Sequence, residues 1–155
     1  METEAYQNAK NSLKAQDYKA AERAFKVALD SIDEHDEKYN NVLSCYGLSQ
    51  VLTANENGLL LCRDAASNEA SDGEVFLNLA CAEWCNDNRK RALDAIRRGI
   101  EIDADNKQLN QACVRLGCRK RCCFGFLPRE HRLNRFFGRR FRRRGADISV
   151  HSLLY

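Results

Sequence analysis

Apolar side chains along most of this chain recur at spacings of three and four, which places them on one side of successive helices. Tyr6, Ala9 and Leu13, then Ala21, Ala24, Phe25, Ala28 and Leu29 beyond a polar break at Gln16 and Asp17, predict two helices within residues 5–29. The arrangement returns over residues 74–102. Phe76, Leu79, Ala80 and Trp84 form one stripe, Asn86, Asp87 and Asn88 interrupt it, and Ala92, Leu93, Ile96, Gly99 and Ile100 form the next. Between these pairs, residues 39–53 read as a helix with Leu43, Tyr46, Gly47 and Val51 on one side. Residues 59–66 read as a shorter partner after a turn at 54–57. Asn106 can cap a further helix with Leu109, Ala112, Cys113 and Leu116 on one face, and Gly117 is its stop.

These are three helix-turn-helix units with a period of roughly 34 residues, and each hairpin has an apolar side that only its neighbour can bury. Small residues at Ala9, Gly47 and Ala80, facing Ala21 or Ala92, allow the paired backbones to approach. The pattern resembles the tetratricopeptide repeat over about residues 2–106. In the first unit Ala9 is the small residue of the first helix, Asp17 and Tyr18 form the turn, and Ala21, Phe25 and Ala28 line the second helix. Phe76, Leu79, Ala80, Ala92, Ile96 and Gly99 match in the third unit. The middle unit matches through Leu43, Tyr46 and Gly47 alone, the proline that ends each repeat of the family is absent, and the register of residues 54–72 stays open. The resemblance implies an all-α fold: a right-handed α-solenoid of about three hairpins over residues 1–117, closed by a capping helix, with a basic tail over 118–155. It also implies that side chains of the first helices line a concave groove for a peptide. By position these are Tyr6, Lys10, Leu13 and Lys14, then Leu48, Val51 and Leu52, then Leu77, Cys81, Trp84 and Cys85. Trp and aliphatic residues beside two lysines suit a peptide with an apolar anchor and a carboxylate. The alternative is that some of them only pack against the next helix.

Composition agrees with helices, since the single proline, Pro128, leaves the preceding residues free of the strongest helix breaker. Charge divides the chain more sharply than its net +3 suggests. Residues 1–114 hold 20 acidic and 13 basic side chains, a balance of −7, whereas 115–144 hold 12 basic ones against Glu130 alone, a balance of +11. Acidic and polar residues after Met1, and the lack of any run of about 18 apolar residues, predict a cytoplasmic protein, peripheral at a membrane if its tail binds one. In such a compartment the eight cysteines read as free thiols.

The tail carries Arg119, Lys120 and Arg121 and then, after Pro128, an amphipathic stretch over about 129–144 that is helical or disordered. There Leu133, Phe136, Phe137 and Phe141 share a face, and Arg132, Arg135, Arg139, Arg140, Arg142, Arg143 and Arg144 occupy the rest. Three readings fit it: an anionic membrane surface, a nucleic acid whose phosphates meet the arginines, or docking on the protein's own acidic body or a partner. Cys118, Cys122 and Cys123 lack paired zinc-ligand spacing, and only His131 is near, so no metal is expected. Cys122 and Cys123 beside the basic cluster also suit lipidation.

Catalytic signals are thin. His35, His131 and His151 fall in turns or tail, the carboxylates are scattered, and neither a glycine-rich phosphate loop nor a nucleophile motif is present. The sequence therefore points to a non-enzymatic adaptor or chaperone without a cofactor. A peptide segment would be its ligand, and its size and layout resemble the cytosolic chaperones of bacterial secretion systems. The alternative is a nucleic-acid-associated protein that works through its Arg-rich tail.

Overall fold

The computed structural model describes residues 4–117 and 149–154, and it is all-α, with no strand among the described residues. Three hairpins follow in order: α1 (Glu4–Lys14) with α2 (Tyr18–Asp30), α3 (Tyr39–Leu52) with α4 (Asn57–Asn68), and α5 (Gly73–Cys85) with α6 (Arg89–Ile102). Then come α7 (Lys107–Leu116) and a five-residue helix, α8 (Val150–Leu154). Each helix packs on its chain neighbours, so the hairpins stack in series as a solenoid, with α7 against α5 and α6. The predicted helix over 129–144, and the tail residues from Arg119 to Arg144, lie outside the described residues.

The hairpin turns repeat one backbone device. Gln16, Ala54 and Asp87 sit at the three turns with φ of 63°, 63° and 59°. In each case the following residue donates its backbone N–H five residues back: Asp17 to Ser12 at 3.0 Å, Asn55 to Gln50 at 2.8 Å and Asn88 to Glu83 at 2.9 Å. This is the Schellman closure, in which a left-handed residue satisfies the last carbonyls of one helix and reverses the chain. Asp17 also caps α2 by accepting from the N–H of Ala20 at 3.0 Å, and Asn106 caps α7 by accepting from Gln108 and Leu109, both at 3.1 Å. Gly117, at φ 72°, ends α7 in the left-handed conformation. Chain reversal is thus written locally; α4 is longer than the expected 59–66, running from Asn57 to Asn68, and α8 was not expected.

The core forms two clusters. Ala9, Leu13, Ala21, Phe25 and Cys45 make the smaller, at the first hairpin. The larger runs from Leu43 and Leu48 through Phe76, Leu77 and Ala80 to Ile96, Leu109, Leu116 and Leu154. Phe25 and Phe76 are fully buried, each contributing about 1.5–3 kcal/mol by burial. The small residues lie where helices meet. Ala9, Ala21 and Ala92 are 0% exposed and Ala80 1%. At Gly47 a Cβ would stand 2.7 Å from the carbonyl oxygen of Gly58, and at Gly58 one would stand 2.4 Å from that of Gly47. Here α3 and α4 touch backbone to backbone, and no side chain fits between them.

Gly58→Ala and Ala54→Gly should therefore shift stability in opposite directions. In a mid-helix site without contacts, alanine would be favoured by about 1 kcal/mol, whereas at Gly58 it should cost about 1–3 kcal/mol through overpacking. Ala54 is exposed and left-handed, so glycine there should add about 1 kcal/mol. Urea unfolding of the three proteins checks both signs.

Candidate ligand-binding face

The first helices of the hairpins meet through a chain of polar side chains that links residues far apart in sequence. Lys10 on α1 is ion-paired and hydrogen-bonded to Glu74 on α5. Glu74 also accepts from Asn41 Nδ2 on α3 at 3.1 Å, and the same amide donates to Asp72 at the start of α5. Asn41 Oδ1 accepts from the Tyr6 hydroxyl at 2.7 Å. Deeper between α3 and α5, Asn78 Nδ2 donates to Ser44 Oγ at 2.9 Å and to Cys45 Sγ at 3.3 Å. Asn41, Ser44 and Asn78 are buried, so each bond avoids the cost of an unpaired polar group in the interior.

Burial and charge act on this chain together. Burial pushes the Tyr6 hydroxyl above the ordinary tyrosine range, aided by the nearby Cys45 and Glu74. For Lys10 burial alone would favour the neutral amine. Cys45, Glu74 and Tyr6 together outweigh it and hold the ammonium well above the usual lysine range. The Cys45 thiol is pushed up to about 12 chiefly by burial, and burial likewise raises Cys62 and Cys81. These are inert core thiols rather than nucleophiles. A second charged contact joins α4 to α5: Arg63 donates from Nε to Glu83 Oε1 at 2.8 Å and from Nη2 to Oε2 at 3.1 Å, and Asn88 Nδ2 adds a bond to Glu83 at 2.8 Å.

The predicted groove residues divide between this face and the core. Tyr6 and Lys10 are half-buried within the polar chain, and Lys14 is exposed. Val51, Leu52 and Trp84 are half-buried, and the Arg89 guanidinium lies 5.8 Å over the Trp84 ring. Leu13, Leu48, Leu77 and Cys81 are buried core residues, while Cys85, four residues on from Cys81, is exposed. Leu77 and Cys81 are buried because α5 is central, packed against α3, α4, α6, α7 and α8, whereas Leu48 is covered because α3 lies among α2, α4 and α5, and Leu13 belongs to the core of the first hairpin. Lys10 stands on this face with its ammonium paired to Glu74. Cys45, Cys62, Cys81 and Cys85 are free thiols, whereas Cys113 is disulfide-bonded, in contrast to the free thiol expected there.

The recesses among the described residues include the following two. One, of about 200 Å³, is lined by Lys10, Leu13, Glu74, Leu77, Asn78, Gln108 and Leu154, and so lies on the first-helix side between α1, α5, α7 and α8. The other, of about 480 Å³, lies between α2 and α3 and is lined by Lys19, Glu22, Arg23, Lys26, Tyr46, Thr53 and Asn55. Its wall is tied together by a bond from Thr53 Oγ1 to Glu22 at 2.9 Å. Among the described residues no group of three or more His, Cys, Asp or Glu is placed to hold a metal ion, and no helix is long and apolar enough to cross a membrane. Sequence reasoning missed Asn41, Ser44, Asn78, Arg63 and Glu83. The available signal was the set of polar residues embedded in α3 and α5, two helices with few exposed positions. No protein-family model, no curated protein and no solved structure matches this chain.

The buried thiols predict alkaline sensitivity. A cysteine whose folded pKa is raised stays protonated in the native state while the unfolded chain ionises near pH 9, so the unfolded state is favoured as pH rises. Each of Cys45, Cys62 and Cys81 should then remove about 1.4 kcal/mol per pH unit above pH 9, with little change between pH 6 and 8. Denaturant midpoints at pH 7, 9 and 10 check the slope, and Cys45→Ala should reduce it by about a third.

Proposed function

We propose that this chain is a tetratricopeptide-like protein-interaction module that binds a partner's peptide segment on the face made by its first helices, acting as an adaptor or chaperone. The observation that carries the reading is the 200 Å³ recess, in which the Leu13 and Leu77 side chains stand beside the polar groups of Lys10, Glu74, Asn78 and Gln108. Apolar surface for an anchor side chain beside a few fixed polar groups is the composition of a peptide site. The buried hydrogen bonds behind it hold those groups in place before a ligand arrives, which lowers the ordering cost of binding.

In this reading the Arg-rich segment within 118–148 supplies a second contact, tethering the module to an anionic membrane surface or an acidic partner. The concentration of arginines around Phe136, Phe137 and Phe141 also suits a nucleic acid, with the helical body serving assembly. Co-sedimentation of the full chain with phosphatidylserine liposomes, beside gel shifts with single-stranded RNA, separates the two.

Peptides selected on the full chain from a display library test the central reading. Lys10→Ala and Trp84→Ala should each weaken the selected peptides about tenfold, the loss typical of a contact residue, while the far-ultraviolet circular dichroism stays helical. Affinities that are unchanged in both variants would remove the site from this face.

A further inference from the structure

The ligand-binding face is not bare: α8 lies on it. Residues 150–154 pack against α5 and α7, and Leu153 and Leu154 are buried there at 2% and 7% exposure, in the same core cluster as Leu77 and Leu109. Gln108 Nε2 on α7 donates to the carbonyl oxygen of Leu154 at 2.8 Å. The open recess begins at Leu154 and continues toward Lys10 and Glu74. The chain's own segment thus meets the face as a short helical ligand would, with an adjacent leucine pair as anchor and one backbone carbonyl fixed by an amide.

Resting on the interaction reading above, we propose that α8 is a resident occupant of this face. The external ligand is then a short helical segment that carries an adjacent leucine pair, displaces residues 149–154 and extends past the pair into the recess.

Three features make the occupant displaceable. First, five residues are too few to hold a helix alone, since isolated helices become stable only near 12–15 residues, so α8 exists by virtue of its docking site. Second, one of its ties to the rest of the protein is a side-chain amide that a ligand's backbone carbonyl can take over. The bonds from Ser152 N to Ser149 Oγ at 3.2 Å and from Ser152 Oγ to Ser149 O at 2.8 Å are internal, and the Gln108 contact joins it to α7. Third, the recess beside Leu154 offers a longer ligand the polar groups of Lys10 and Glu74. A tethered segment competes at an effective concentration that reaches the mM range, so a free ligand of similar chemistry binds only after that competition is overcome.

The test uses the full chain and a fluorescein-labelled synthetic peptide of residues 149–155, read by anisotropy. Leu153→Asp with Leu154→Asp removes the resident anchor, and this double variant should bind the peptide at least tenfold more tightly than the unmodified protein. Adding Gln108→Ala to it should weaken that binding severalfold. Equal affinity of double variant and unmodified protein, or no effect of Gln108→Ala, would overturn the proposal. Hydrogen exchange of the unmodified protein tests it without any substitution. Amides of 150–154 should exchange at least tenfold faster than those of α5 through local opening, and exchange as slow as α5 would make the segment fixed core and refute the displacement. Either failure leaves the interaction reading intact, because that reading is measured with library-selected peptides on the Lys10 and Trp84 variants.

Discussion

The backbones of α3 and α4 touch at Gly47 and Gly58, and the rest of the stack depends on that contact. With no Cβ on either helix at the crossing, α3 can lie against α4 on one side and against α5 on the other. The same logic recurs at milder contacts, where Ala9 and Ala21 are fully buried in the first hairpin and Ala80 and Ala92 in the third. Close approach excludes water and brings many atoms into contact, and dispersion and burial follow from it. Each hairpin then presents an apolar side that only the next hairpin covers, which orders the units in series.

Within that frame α5 is the keystone, since it packs against α3, α4, α6, α7 and α8 and reaches α1 through Glu74. Its central place explains why polar chemistry gathers around it: Glu74 holds Lys10 and Asn41, Asn78 holds Ser44 and Cys45, and Glu83 holds Arg63 and Asn88. A buried ion pair adds little net stability compared with well-packed apolar residues, yet removing one partner leaves an uncompensated charge. These bonds therefore fix how α1, α3 and α4 register against α5, and they also set the shape of the face on which α8 lies.

Much of this fold was legible in the sequence, and the reasons are local. The three-and-four spacing around Ala21, Phe25 and Ala28 or Ala92 and Ile96 marks a helix face regardless of context, and the polar breaks at Asp17, Asn55 and Asn88 mark its reversal. The proposed binding face was less legible. Leu48, Leu77 and Cys81 were placed on it from their position in a first helix, but position along a helix does not say how many neighbours surround it: α3 is packed by α2, α4 and α5, and α5 has neighbours on almost every side. The pairing of Lys10 with Glu74 spans 64 residues, and no pattern in one sequence encodes such a distance. Residues 150–154 are shorter than two helical turns, too few to display a period, so their docking through Leu153 and Leu154 came from tertiary structure alone.

The account stands on hairpins that close through small residues, glycine against glycine in the middle one, and nuclear Overhauser spectroscopy of the full chain reads that contact directly. A cross-peak between the α protons of Gly47 and those of Gly58 is predicted, since a Cβ on either residue would fall within 3 Å of the other's carbonyl oxygen. Assigned spectra in which the α protons of Gly47 show no cross-peak to any proton of residues 57–62 would contradict it.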